Sequence, residues 1–170
     1  NYNRRNKNVR LYEMGNIYIP QELPLTELPD ERMQFTLGMY GDGDFFNMKG
    51  VVEEFFEKIG MKGREKYDPN AGKSFLHPGR QANIIYDGKV VGYLGEVHPE
   101  VADIYGIGER AYVAVLDMPE IIPYATFDRK YTGIAKYPAV TRDISMVVPK
   151  EILVGQIEDV IEKKGGAHLE

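Results

Sequence analysis

The sequence has no cysteine, and it has no apolar run that approaches the roughly 20 residues of a membrane-spanning helix. Without cysteine there is no disulfide, no thiolate nucleophile and no zinc–thiolate site, which fits a reducing compartment such as the cytoplasm. Residues 1–10 also lack the apolar segment of a secretory signal and an initiating methionine. We therefore expect a cytoplasmic protein without a membrane segment, and we interpret the sequence as part of a longer chain.

The composition is that of a folded globular protein. Of the 170 residues, 43% are hydrophobic and 28% are charged, which is too apolar for a disordered chain. The length suits one good-sized domain, or one domain plus part of another. The net charge of −5 is unevenly spread, with +4 in residues 1–10, −10 in residues 11–128 and +1 in residues 129–170. Because nucleic-acid affinity depends on lysine and arginine displacing counterions, we expect any RNA contact at the two ends of the chain.

The first three quarters of the chain have the pattern of strands joined by turns. Residues 81–97 predict a hairpin, because two β-rich runs flank Asp87-Gly88, a dipeptide favoured where both turn residues need positive φ. Strands with interspersed helices indicate an α+β domain built on an antiparallel sheet. Three further runs rich in β-branched and aromatic residues are predicted strands: 9–20, 33–41 and 110–118.

The clearest helix is predicted over residues 45–59. Asp44 before it is a suitable N-cap, and Gly60 after it is a suitable C-terminal stop. Its apolar stripe should pack on the sheet, and three more apolar residues widen that stripe enough to serve a subunit interface. The stripe consists of Phe45, Met48, Val52, Phe55 and Ile59, and the widening residues are Phe46, Val51 and Phe56.

A second domain is predicted after a linker over residues 129–136, which are poor in aliphatic side chains. Residues 137–170 would begin this domain, with a strand at 142–148 and an amphipathic helix at 152–165. One strand and one helix cannot close a hydrophobic core. We therefore interpret the second domain as incomplete here and expect it to be marginally ordered.

Two patterns resemble ion or nucleotide sites but lack the residues that the chemistry needs. Residues 42–53 space three acids like a calcium loop, yet Phe46 and Asn47 replace a ligand and the turn glycine. Gly106–Arg110 resembles the glycine-rich third motif of class II aminoacyl-tRNA synthetases, whose arginine binds ATP. Here, however, a short helix predicted to start at His98-Pro99 precedes the glycines, and a predicted strand follows the arginine. The three histidines are far apart in sequence. No metal or cofactor site is predicted in this chain.

The segment His77–Arg80, with the sequence HPGR, admits two interpretations. Proline presets φ and glycine tolerates positive φ, so the segment predicts a tight corner before a strand beginning at residue 81. A stand-alone enzyme that uses His77 and Arg80 on a small anion is the alternative. Acid–base chemistry needs an oriented partner, and no Asp or Glu lies in the surrounding run SFLHPGRQANI.

Five phrases together resemble one family. In the order of the chain they are VRLYEMGNIY, DFFNMKGVVEEFF, FLHPGRQANI, GYLGEVHPEV and KYPAVTRDISMVV. They are similar to the C-terminal part of the bacterial phenylalanyl-tRNA synthetase beta subunit, and the similarity covers essentially all 170 residues.

The resemblance implies a catalytically silent domain of class II synthetase fold over residues 1–128. It implies the start of a ferredoxin-like anticodon-binding domain over residues 137–170. Family members assemble with the alpha subunit into a heterotetramer and bind phenylalanine tRNA. Phenylalanine, ATP and magnesium bind the alpha subunit, so the resemblance implies no cofactor and no catalytic residue here. His77, Pro78, Gly79 and Arg80 match a family signature without an assigned role.

Basic residues near the start of the second domain are the candidate RNA contacts, although the small net charge there predicts weak binding. A plain dimerisation module that reuses the synthetase fold is a further alternative to the assembly and RNA-binding role. The candidate RNA contacts are Arg129, Lys130, Lys136 and Arg142.

Overall fold

The computed structural model describes residues 6–61, 63, 65–128, 131, 133, 136, 138, 140–166 and 169. The chain divides into two compact units, Asn1–Arg129 and Lys130–Glu170. The first unit contains an antiparallel sheet with helices, and the second contains one helix among its described residues.

An antiparallel sheet of six strands organises the described part of the first unit. Every pairing within it is antiparallel, which confirms the expected α+β class. The strands lie in the order β1-β2-β6-β5-β4-β3. Their bounds are β1 Val9–Ile19, β2 Asp30–Tyr40, β3 Glu65–Asp68, β4 Leu76–Tyr86, β5 Lys89–Val97 and β6 Ala111–Asp117.

Helix α1, Phe45–Lys58, forms where the sequence predicts it. The Asp44 side chain accepts a hydrogen bond from the backbone N–H of Asn47 at 2.7 Å, and Asn47 bonds back to Asp44, which completes a capping box. After the helix Gly60 has φ +85°, and a Cβ there would lie 2.1 Å from the carbonyl oxygen of Thr126. Both the positive φ and the close approach therefore require glycine.

The core lies between α1 and one face of the sheet, mainly over β5 and β6. Met48 and Val52 of the predicted stripe are buried, whereas Phe45, Phe55 and Ile59 are half-buried. Phe56, predicted only to widen the stripe, is fully buried. The face of the helix that packs on the sheet is thus rotated slightly from the one that the spacing of apolar residues predicts.

Three short helical segments accompany the sheet and α1. His98 caps α2, Pro99–Ile104, by accepting a hydrogen bond from the backbone of Glu100, as expected for a helix that starts at His-Pro. Gly106, with φ +65°, ends that helix. The other two are α3, Met118–Ile121, and a 3₁₀ turn, Ile122–Tyr124, which add Met118, Ile121 and Tyr124 to the core.

The predicted hairpin at Asp87-Gly88 is confirmed, but its first strand is longer than predicted. Asp87 has φ +49° and Gly88 φ +78°, so both residues adopt the conformation that a type I′ turn needs. Strand β4 begins at Leu76 rather than at residue 81. The expected corner at His77–Arg80 is therefore an irregularity inside a strand, because pairing to β5 starts before the proline and resumes after it.

In the second unit, α4 spans Val154–Gly165, close to the predicted helix 152–165. The predicted strand 142–148 is wrong, since residues 141–149 have no regular secondary structure. A strand exists only through hydrogen bonds to a neighbour, and the described residues of this unit contain no other strand to pair with. Val160 of α4 is exposed and Ile157 is half-buried. The predicted linker and marginal order stay predictions.

Replacement of Phe56 by alanine should lower the free energy of unfolding by about 3–5 kcal/mol, because the ring is fully buried and its removal leaves a cavity. Phe46→Ala is the matched control: the side chain is on the same helix but 74% exposed, so the loss should stay within roughly 0.5 kcal/mol. Urea unfolding followed by far-UV circular dichroism measures both. Equal losses would contradict the packing of α1 described above.

Candidate functional site

The segment His77–Arg80 forms a bulge in β4. The strand advances from Leu76 to Gln81 while β5 advances only from Val97 to Gly95, so the intervening residues have no cross-strand partners. The imidazole Nδ1 of His77 accepts a hydrogen bond from the backbone N–H of Gly79 at 3.1 Å, which holds the bulge in shape.

Gly95 accommodates this bulge on the neighbouring strand. A Cβ at Gly95 would lie 2.8 Å from the carbonyl oxygen of Arg80, so only glycine permits the observed approach of the two backbones. The bulge then directs the side chain of Arg80 toward β5.

A buried carboxylate receives that arginine. Glu96 on β5 is 3% exposed, and its Oε1 lies 3.0 Å from Nη1 of Arg80. The Nε of Arg110, at the start of β6, is 3.9 Å from the same oxygen. The structure thus brings together two motifs noted in the sequence, His77–Arg80 and Gly106–Arg110, at one carboxylate.

Sequence reasoning missed Glu96, because only residues next to the HPGR segment were considered as partners. The available signal was its spacing from Leu94. Residues two apart on a strand share a face, and Leu94 is an obvious core residue of the predicted hairpin. An acid at such a position needs a cation, and Arg80 supplies it.

Tyr112 completes the cluster, since it lies directly opposite Glu96 in the β5–β6 pairing. Burial raises the pKa of the Tyr112 hydroxyl, and the negative charge of Glu96 raises it further, whereas Arg110 opposes the change. The second oxygen of Glu96, Oε2, is buried and accepts no hydrogen bond from the described residues. The carboxylate therefore depends on its arginines for charge compensation.

This arrangement does not provide an acid–base pair. Nδ1 of His77 accepts the bond from Gly79, and no carboxylate is bonded to His77 among the described residues. Glu96 is paired with arginine instead, which suits structural anchoring and anion recognition better than proton transfer. The order of elements around Gly106–Arg110 is as predicted, with α2 before and β6 after.

Of the other predicted positions, Arg129 and Lys130 lie outside the described residues, while Lys136 and Arg142 are exposed. Nη1 of Arg142 donates to the carbonyl of the adjacent Thr141 at 2.9 Å. Across the described part of the chain, no cluster of three or more metal-ligating side chains is present, and no helix is long and apolar enough to cross a membrane.

An exposed apolar surface lies where β1 and β2 extend beyond α1. Tyr12 and Met14 of β1 pair with Leu37 and Phe35 of β2, so their side chains are on the sheet face that α1 covers elsewhere. The Tyr12 ring contacts Phe35 at 5.9 Å between centroids, which makes the surface continuous with the core. We call it the hairpin surface, and it consists of Tyr12, Met14 and Tyr18 on β1 with Phe46 and Val51 on α1, all exposed.

A groove runs beside this surface, between α1 and the sheet. It has a volume of about 350 Å³, and its lining includes Arg10, Met39, Phe46 and Val51. Contiguous exposed apolar side chains of this kind mark interaction sites on soluble proteins. The hairpin surface is therefore a second candidate site, suited to a protein partner.

Comparison with known proteins gives consistent matches. A family model described as the phenylalanyl tRNA synthetase beta chain CLM domain matches residues 1–118. The chain is 43% identical over 170 residues to the phenylalanine–tRNA ligase beta subunit of Clostridium acetobutylicum and 39% identical to that of Clostridium tetani. It is 35% identical over 179 residues to that of Bacillus subtilis.

The matches cover all or nearly all of this chain but only 21–22% of each relative, so the chain spans about a fifth of their length. Among solved structures, a pyrrolysyl tRNA synthetase from Desulfitobacterium hafniense superimposes with a TM-score of 0.55 at 10% identity. That alignment covers 71% of this chain and 43% of the other. The antiparallel sheet with its helices is thus a fold found in a tRNA synthetase.

Replacement of Arg80 by methionine should lower the free energy of unfolding by about 2–3 kcal/mol, because it leaves the buried Glu96 without its closest cation. Arg10→Met is the control, since Arg10 pairs loosely with Asp42 at 3.8 Å on the surface and should cost less than about 1 kcal/mol. Adding Glu96→Gln to the Arg80 variant should recover part of the loss. Chemical denaturation of all three tests this, and equal losses in the two single variants would refute it.

Proposed function

The chain belongs to the phenylalanyl-tRNA synthetase beta chain family and corresponds to part of that subunit, and from this premise we propose that it acts as an assembly element without an active site of its own. Its partner would be the alpha subunit of phenylalanine–tRNA ligase, in a cytoplasmic heterotetramer that attaches phenylalanine to its tRNA. ATP and magnesium would be used by that complex and not by this segment.

The observation that carries this proposal is the hairpin surface. It is apolar, exposed, and joined to the core through the aromatic contacts Tyr12–Phe35 and Phe35–Phe55, at 5.9 and 5.1 Å between ring centroids. A rigid apolar surface of this kind favours a stable protein interface, because association removes apolar area from water with little ordering of side chains.

The polar cluster supports the absence of catalysis. Glu96 neutralises the arginine of the HPGR bulge, and Nδ1 of His77 accepts a hydrogen bond from the backbone N–H of Gly79. This argues against the small-anion enzyme that uses His77 and Arg80, since among the described residues the ion-pair partner of Arg80 is Glu96 rather than an oriented base. The described residues instead support a scaffold of class II synthetase type.

The second unit would contribute weakly to tRNA binding, as the beginning of a ferredoxin-like anticodon-binding domain. Lys136 and Arg142 are exposed and accessible to phosphate. The small net charge of residues 129–170 limits the electrostatic attraction. Arg129 and Lys130 remain candidate RNA contacts from the sequence.

A dimerisation module is the second candidate function, because the hairpin surface also suits a second copy of the chain. Gel filtration separates the two possibilities. Assembly with the alpha subunit predicts a shift only when that subunit is added, whereas a dimerisation module predicts self-association without it.

Met14→Glu should weaken association with the alpha subunit roughly tenfold or more, because it places a charge in the middle of the hairpin surface. Val90→Glu is the matched control: Val90 is also an exposed strand residue, at 55% compared with 52% for Met14, but it lies on β5 outside the hairpin surface. Titration calorimetry with purified alpha subunit gives both affinities. Equal effects of the two substitutions, or none from Met14→Glu, would count against this interface.

The chain alone should show no phenylalanine-dependent pyrophosphate exchange with ATP. The reason is that its described residues provide no oriented catalytic group around Arg80 and Arg110. The assay uses protein freed of alpha subunit, with the reconstituted complex as positive control. Exchange above background that disappears on Arg110→Gln would overturn the assignment of a non-catalytic role.

A further inference from the structure

The cluster around Glu96 carries an excess of positive charge. Two guanidinium groups approach one carboxylate oxygen, and among the ion pairs of the described residues Glu96 is the acidic partner of both arginines. Residues 11–128 as a whole have a net charge of −10. The cluster is therefore a local positive site within an acidic domain.

The two arginines are also oriented outward. The side chain of Glu96 is 4% exposed, whereas those of Arg80 and Arg110 are 42% and 68% exposed. The carboxylate thus lies beneath the guanidinium groups. It accepts a hydrogen bond from Nη1 of Arg80 at 3.0 Å, and it forms a longer ion pair with Nε of Arg110 at 3.9 Å. Each guanidinium has five N–H donors, so most of them remain available on the solvent side.

The backbone fixes both arginines in place. The bulge that carries Arg80 is held by His77 and by the close approach to Gly95, and Arg110 directly precedes β6, which begins at Ala111. One buried carboxylate is hydrogen-bonded to Arg80 and ion-paired with Arg110, so the two guanidinium groups lie near each other before any ligand binds. Such preorganisation reduces the entropy lost on binding.

We propose that Arg80 and Arg110 form a binding site for a phosphate group, with Glu96 as the residue that positions them. Phosphate suits the site because paired guanidinium groups match the geometry of its oxygens and offer charge-assisted hydrogen bonds. The phosphate belongs either to the backbone of RNA or to a small phosphorylated molecule. The site is independent of the assembly role, since it lies within this chain and includes no residue of the hairpin surface.

The first test is a titration of the chain with inorganic phosphate and with pyrophosphate, at constant ionic strength maintained with chloride. Binding is followed by isothermal titration calorimetry and by the NMR signals of the arginine Nε–H groups. We expect saturable binding with shifts at Arg80 and Arg110. Arg110→Gln should weaken binding at least about fivefold, because it removes one of the two guanidinium groups.

Arg10→Gln is the matched control for Arg110→Gln. Arg10 is similarly exposed, at 66%, and lies 3.8 Å from Asp42, as Arg110 lies 3.9 Å from Glu96. It should bind phosphate like the unsubstituted chain. Arg80→Lys is a second variant that keeps the positive charge beside Glu96, so we expect the fold to be retained. Because it removes the planar guanidinium group, it should also weaken phosphate binding.

Competition identifies the source of the phosphate. A short RNA without terminal phosphates offers only phosphodiesters, whereas ATP offers terminal phosphates. If the RNA or ATP displaces pyrophosphate from the unsubstituted chain but not from Arg110→Gln, the result supports the site and identifies the class of its ligand. Equal phosphate affinities of Arg10→Gln and Arg110→Gln would overturn the proposal. So would binding heats and NMR shifts no larger than those that added chloride produces.

Discussion

The packing of α1 against one face of the antiparallel sheet is the interaction on which the rest of the first unit depends. Phe56, Met48 and Val52 bury completely against β5 and β6, and the capping box at Asp44 fixes where the helix begins. Helix α1 packs mainly over β5 and β6, and on the same face of the sheet it leaves Tyr12 and Met14 of β1 exposed. The core therefore continues into an apolar surface that α1 does not cover.

The exposed apolar side chains of the hairpin surface are continuous with the core. The aromatic contacts from Tyr12 through Phe35 to Phe55 connect the exposed strand to the buried side of the helix. Apolar residues at the surface of a rigid sheet cannot withdraw from water by local rearrangement. Burial by a partner would remove them from solvent, and this is the physical basis of the proposed assembly role.

The charged cluster around Glu96 follows from a different constraint. A carboxylate on the core side of a strand must be compensated, and both arginines that do so come from irregular points of the chain, a bulge in β4 and the loop before β6. Two sequence motifs without evident chemistry of their own, His77–Arg80 and Gly106–Arg110, thus meet at one carboxylate. The arginines stabilise the acid, and the acid in turn is hydrogen-bonded to Arg80 and ion-paired with Arg110 at the surface.

The sequence by itself determined the local elements: the Asp44 cap, the helix that follows, the Asp87-Gly88 turn and the His98-Pro99 helix start. Each of these depends on interactions between residues a few positions apart, so composition and spacing predict them. Only the tertiary structure decided that β4 continues through Pro78, that residues 142–148 form no strand, and that Phe56 rather than Phe55 is fully buried. It also brought Arg80, Glu96 and Arg110 together. These outcomes depend on which segments pair across the sheet, and cross-strand pairing joins residues whose separation along the chain no local pattern encodes.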